Sequence, residues 1–259
     1  MATVLTWLLP GAGHLYLGRV PIAVAAFVLV QGLYALGLFL SDGMTFEFLD
    51  PELRGPFATA LTPEAGNLGG LIYQLRVYGF GPESPRVQPD TIMLGTWLTA
   101  LSGMLNVLLM VHANCTARGT QATRATGLVA AAWLVPGGGH WLQGRRLRAL
   151  IVFVLLGGLL AAGTLLAEGS NLSRERHFYY WSGQFLAGAP AAILEFVSGR
   201  PRITGEIPNA DVGLLYGCLA GLLNVLAMLD VFGFAEGVPG AEDEPAQAPA
   251  SVQPEGAEG

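Results

Sequence analysis

The chain has 259 residues, 52% hydrophobic and only 12% charged, against about 25% charged in an ordinary soluble domain. So little polar surface cannot wrap a water-soluble globule, which points to lipid as the solvent for much of the chain. The net charge of −6 is local: six acids and no base fall within 235–259, the other thirteen acids balance thirteen arginines, and a neutral body gives no electrostatic case for nucleic acid.

In chain order, the first apolar segment covers about residues 2–17, with no basic residue before it. It is therefore expected to stay in the mature protein rather than be cleaved as a signal peptide. A second apolar run spans 20–41 and ends at Asp42-Gly43. A mixed-charge loop rich in Gly and Pro follows, with a weaker apolar stretch at 68–80, and then a third apolar helix at 91–115. The order then recurs, with apolar helices expected at 126–142, 147–167 (followed by Glu168-Gly169) and 212–234. The second loop holds a weaker stretch at 177–197 that opens His-Phe-Tyr-Tyr-Trp, as expected of a segment resting at the headgroup level. A crossing helix needs roughly 20 apolar residues, and several of these runs reach that length.

The recurrence is visible in the residues themselves. Trp7-Leu-Leu-Pro-Gly-Ala-Gly-His-Leu-Tyr-Leu-Gly-Arg19 and Trp133-Leu-Val-Pro-Gly-Gly-Gly-His-Trp-Leu-Gln-Gly-Arg145 are identical at eight of thirteen positions, at an offset of 126. Gly103-Met-Leu-Asn-Val-Leu-Leu-Met110 and Gly221-Leu-Leu-Asn-Val-Leu-Ala-Met228 match at an offset of 118, the change reflecting a shorter second loop. The chain reads as a duplication: an all-α, polytopic transmembrane helical bundle of two tandem repeats with about three helices each. The repeats occupy 1–118 and 119–234, and an acidic Pro/Ala/Gly/Glu-rich tail at 235–259 is expected to be disordered. Two topologies are open. All six helices cross, with the halves inverted; or the first helix of each half enters and returns on one side. The second arrangement gathers Arg19, Arg118, Arg124, Arg145, Arg146 and Arg148 on one face, which suits the positive-inside rule. Six crossings is the favoured expectation.

Candidate residues fall into four groups. Pro10-Gly11 and Pro136-Gly137 break a helix, because proline removes a donor and glycine weakens what remains. His14 and His140 follow the breaks and are read as partners for the freed backbone; a sharper reading makes them a metal, haem or proton site. Gly95, Thr99, Gly103 and their equivalents Gly213, Gly217, Gly221 form stripes of small residues for close helix packing, within the chain or across a homodimer. Asn106 and Asn224 stand near those stripes and are read as interhelical glue rather than substrate ligands. Asp230, whose counterpart in the first repeat is His112, is expected to form an interfacial ion pair with Arg145. Cys115 and Cys218 have no CxxC or metal-ligand spacing and read as core residues. GxSxG, HExxH and Walker motifs are absent, so the chain is not read as an enzyme and no cofactor is assigned.

The Gly-x-Gly-His-x-x-x-Gly-Arg block before a long apolar helix resembles the turn of the small domain named for its two transmembrane helices. A closer resemblance is to a family of bacterial multi-pass membrane proteins of unknown function, with Trp-Leu-x-Pro-Gly-x-Gly-His near the start and Gly-Leu-Leu-Asn-x-Leu…Asp near the end. The second repeat fits best, through Trp133–Arg145 and Gly221–Asp230; the first departs from it at Met104 and His112. The resemblance implies fold and location, in the bacterial inner membrane, and no activity. The expected role is structural or scaffolding, with lipid and membrane proteins as partners. The alternatives are a small-solute or ion transporter working at the repeat interface, and a membrane subunit with a His-ligated cofactor.

Overall fold

A computed structural model describes residues 1–46, 51–80, 87–198 and 205–237. Among the described residues every regular element is helical. Four helices of the described residues are long and apolar enough to cross a membrane: α3 (Val20–Ser41), α6 (Ile92–Ala117), α9 (Arg146–Leu166) and α12 (Ala210–Ala235). At 1.5 Å per residue they span roughly 32–39 Å, enough for a hydrocarbon core of about 30 Å.

The expected first helix of each half is two short helices, so four helices rather than the expected six have the length and apolarity to cross. Residues 2–17 form α1 (Ala2–Leu8) and α2 (Ala12–Tyr16); residues 126–142 fall within α7 (Ala122–Leu134) and α8 (Gly138–Leu142). The cause is local. Leu9 is extended, and Gly11 takes φ 85°, in the left-handed region that a side chain disfavours. Gly137 does the same at φ 83°. The chain then folds back: a Cβ on Gly13 would lie 2.1 Å from Ala2 O, and one on Gly139 would lie 2.6 Å from Leu128 O. Each pair is a helical hairpin that enters and returns at one end of the bundle.

Within each half the two long helices run antiparallel in close contact. A Cβ on Gly95 would sit 2.7 Å from Gly37 O, and one on Gly213 would sit 2.6 Å from Gly163 O. These are the same contact at the two sequence offsets. The order α3, α6, α9, α12 thus places the arginine-bearing ends, with Arg19, Arg118, Arg145 and Arg146, together at one end. The long loops occupy the other. They contain α4 (Pro56–Ala60), α5 (Leu68–Tyr78), α10 (Phe178–Phe185) and α11 (Ala189–Ser198), with single 3-10 turns at Pro63–Gly66 and Ser170–Leu172.

These loops dip into the bundle. Gly103 and Gly221 are each the twelfth residue of a 26-residue helix. A Cβ there would lie 2.0 Å from Pro63 O and 1.9 Å from Gly183 O respectively. Both small-residue stripes are therefore occupied inside the chain. The aromatics opening the second loop turn inward: Phe178, Trp181 and Phe185 are buried. Phe178 lies tilted 6.0 Å from Phe46, and Trp181 meets Trp97 edge-on at 5.7 Å, so rings from both halves meet in two buried clusters. Outside, Val24, Phe27, Val28 and Leu29 of α3 and Leu150, Ile151, Val154 and Leu155 of α9 are exposed. Faces this apolar need lipid. Helix α12 carries the start of the expected tail to Ala235; residues 238–259 lie outside the described residues.

Four crossings and six differ in a way that labelling reads directly. With Cys115 and Cys218 replaced by Ala, single cysteines at Arg19, Thr120 and Arg146 should react with an impermeant maleimide from one side, and cysteines at Ala60 and Gly205 from the other. Six crossings would instead separate 146 from 19 and 120.

Candidate functional site

At the arginine end, each hairpin presents its histidine to the last turns of a long helix. His14 is fully buried, and its Nε2 lies 2.9 Å from His112 Nδ1. The equivalent His140, 2% exposed, places Nε2 2.9 Å from Asp230 Oδ2. Arg145 Nη1 stands 2.7 Å and Arg148 Nη1 3.5 Å from the same carboxylate. An ionised carboxylate only accepts, so facing one the His140 Nε2 is the nitrogen placed to donate. Burial, then the charges of His112 and Arg19, hold the His14 ring below its usual pKa. The structure gives His14 and His140 separate partners and does not bring them together. Among the described residues no group of three or more His, Cys, Asp or Glu side chains is placed to hold a metal ion.

Deeper in, the asparagines hold the interrupted backbone. Asn106 Nδ2 donates to Thr6 O at 2.8 Å and to Gly66 O at 2.9 Å. One amide thus joins the hairpin tip from one end to the dipping loop from the other. Trp7 Nε1 adds a bond to Ala65 O at 2.7 Å. In the second half Asn224 Nδ2 donates to Leu186 O at 3.0 Å. Both asparagines are fully buried.

The loop end carries buried charge. Glu64 is 0% and Arg174 4% exposed, and they pair at 3.0 Å across the two halves. Thr99 Oγ1, on α6, lies 2.8 Å from the same Glu64 oxygen. The Arg174 guanidinium lies over Phe178 and Trp181, 4.9 and 4.7 Å from the ring centres, a cation–π arrangement. Trp181 Nε1 donates to Glu195 Oε2 at 2.8 Å. Burial pushes the Glu195 carboxyl up to about 7, against the opposing pull of its tryptophan bonds and the Arg174 charge.

A family of unknown function (DUF6677) matches the chain twice in tandem, over residues 1–125 and 127–243. The chain belongs to this family. No curated protein and no solved structure matches it. The tandem match is consistent with a duplication, and the recurring contacts follow the same division.

Sequence reasoning singled out His14, His140, Asn106, Asn224, Arg145 and Asp230, and it missed Glu64, Arg174 and Glu195. Those three stand in mixed-charge loops where an acid or an arginine reads as solvated. The one usable signal was indirect, since the loops carry apolar stretches that have to pack somewhere.

Two measurements follow from the buried charges. Arg174→Met strands Glu64 without its cation and should cost about 3–5 kcal/mol of stability. The double variant with Glu64→Gln should recover most of that, read as denaturant or thermal unfolding of the purified protein. For Glu195, the unfolded carboxyl titrates near 4.5 and the folded one near 7. The folded state holds the extra proton between these values, so the contribution of Glu195 is fully present below 4.5 and lost as pH rises through 7. Glu195→Gln cannot ionise and should flatten the fall in melting temperature over that interval.

Proposed function

We propose that the chain is a non-catalytic structural scaffold of the bacterial inner membrane, with its arginine end facing the cytoplasm. What supports the role is where the buried polar side chains direct their hydrogen bonds. Asn106 and Asn224 hold backbone carbonyls of the re-entrant segments. His14 and His140 are turned to His112 and Asp230. The two asparagines, His14 and His140 are each at most 2% exposed. Residues packed this closely serve to fix backbone. The orientation is supported by six arginines in short connections at one end, since basic residues are retained on the cytoplasmic side.

A second reading, a small-solute or ion transporter, has its own support. Interrupted helices that meet from opposite ends at mid-depth are the architecture in which transporters build their sites. The Oδ1 atoms of Asn106 and Asn224 are buried without a donor, as open acceptors for a polar solute would be. The third reading, a His-ligated haem or metal, has less: both Nε2 atoms are engaged with separate partners, and only the two Nδ1 atoms stand buried without one.

Reconstitution separates the readings. Vesicles holding the full chain should keep a proton or potassium gradient as long as empty vesicles do; faster dissipation would overturn the scaffold in favour of transport. A scaffold also needs a protein neighbour. A photo-crosslinking residue at Phe153, on the exposed face of α9, should trap a discrete membrane protein or a second copy in cells. Adducts to lipid alone would count against it.

A further inference from the structure

Two clefts lie beside the last turns of α6 and α12; they share two matching lining positions, Ile22 with Arg148 and His112 with Asp230, and have opposite chemistry. The second-half cleft, about 310 Å³, is lined by His140, Arg148 and Asp230 among aliphatic side chains. Its carboxylate gathers Arg145, Arg148 and His140, so the charge is closed internally. The first-half cleft, about 520 Å³, is lined at the matching positions by Ile22 and His112. Arg19, the counterpart of Arg145, lines it too, together with Gln121, Thr123 and Arg124. Here the acid has become histidine while the arginine remains.

This leaves basic groups without an anion. Among the described residues no acid pairs with Arg19. Arg124 makes a long contact, 3.5 Å, to Gln121 Oε1, which is neutral. Glu236 touches the cleft wall through Thr120 at 3.2 Å, but it is ion-paired to Arg118 and also accepts from Cys115. The imidazole adds a donor. The His140 Nε2 is placed to donate because it faces a carboxylate; the same tautomer at His14 donates to His112 Nδ1. A neutral His112 then holds its own proton on Nε2, and its ring lines the cleft.

We propose that this cleft is an anion site that takes a phosphate group, supplying in the first half the negative charge that the Asp230 carboxylate supplies in the second. Two guanidiniums, an imidazole N–H, an amide and a hydroxyl around an open polar cleft suit a tetrahedral oxyanion, which arginine binds through paired N–H donors. The cleft lies at the arginine end, where α3 starts and α6 stops. There the phosphodiester of an anionic lipid reaches it from the leaflet, and free phosphate reaches it from water.

The test uses the purified full chain in neutral detergent or phosphatidylcholine nanodiscs, with native mass spectrometry and thermal unfolding as readouts. Phosphatidylglycerol, but not added phosphatidylcholine, should be retained and should raise the melting temperature. Arg19→Gln and Arg124→Gln should each weaken retention about fivefold, and Arg145→Gln should not. His112→Asp supplies the acid that the second half has; it should abolish the phosphatidylglycerol effect while the chain stays folded, because the new carboxylate pairs with Arg19. Inorganic phosphate, titrated without phosphatidylglycerol, identifies the source. Stabilisation by phosphate at concentrations where chloride of equal ionic strength has no effect marks a soluble ligand; stabilisation by the lipid alone marks a headgroup. The proposal fails if neither stabilises, or if the Arg19 and Arg124 variants retain phosphatidylglycerol as the parent does. Those two positions are exposed, so their variants remain informative even where His112→Asp does not fold.

Discussion

A helix that stops inside hydrocarbon leaves carbonyl oxygens with no water to bind, and each unsatisfied group costs several kcal/mol. This chain interrupts its helices repeatedly, at the tips of α1 and α7 and where the loops dip towards α6 and α12. The rest of the architecture answers to that constraint. Asn106 reaches the carbonyls of Thr6 and Gly66 from one position on α6, and Asn224 reaches Leu186 from the matching position on α12. Gly103 and Gly221 make this possible, because any side chain there would occupy the space of the loop backbone. The two 26-residue helices thus act as masts to which interrupted segments from both ends are tied. Helix α6 is the most enclosed of the four long helices, with 56% of its apolar window buried, and α9 the least, with 22%.

Much of this was legible in the sequence, and the limits have physical causes. The breaks at Pro10-Gly11 and Pro136-Gly137 announce themselves, because few residues disrupt a helix so strongly. Whether the chain continues or reverses after such a break depends on the sign of φ at one glycine, and composition does not encode that sign. This is why six crossings and four looked alike. The glycine stripes were readable as packing surfaces, but not what they pack against: one end of each stripe meets a long helix and the other meets a loop segment. Phe178, Trp181 and Phe185 have the composition of a headgroup belt, and composition alone does not show that they are buried against protein, which follows from a loop that carries its rings inward with it. Glu64 and Arg174 were invisible for a similar reason, because each is surrounded in sequence by residues that do face out.

The offsets of 126 and 118 make the halves comparable residue by residue, and the contacts recur with them. Gly11 against Ala23 becomes Gly137 against Ala149, and Gly37 against Gly95 becomes Gly163 against Gly213. Against that background the departures stand out. Thr99, which approaches Glu64, is replaced by Gly217, beside Gln184 and Asn171. His112 is replaced by Asp230. The close glycine contacts between backbones are held in common, and the differences fall on polar side chains, both where they meet charge and where they reach backbone carbonyls. Packing tolerates little change in volume, whereas the sign of a charge at a helix end can change without moving the backbone.

The contact between the halves shows why such differences matter to assembly. A buried ion pair adds little net stability compared with an apolar pair, but a buried charge without its partner costs several kcal/mol. Glu64 comes from the first loop and Arg174 from the second, so the pair forms only when unlike loops meet. Two halves with the same backbone could otherwise dock like against like, first loop on first loop, within one chain or between copies. That arrangement would put Glu64 beside a second carboxylate and leave Arg174 among Phe178 and Trp181 with no anion. The ring cluster is indifferent to which half contributes a ring. The buried Glu64–Arg174 contact distinguishes the two loops, and it favours the heterologous pairing within one chain over like-with-like docking.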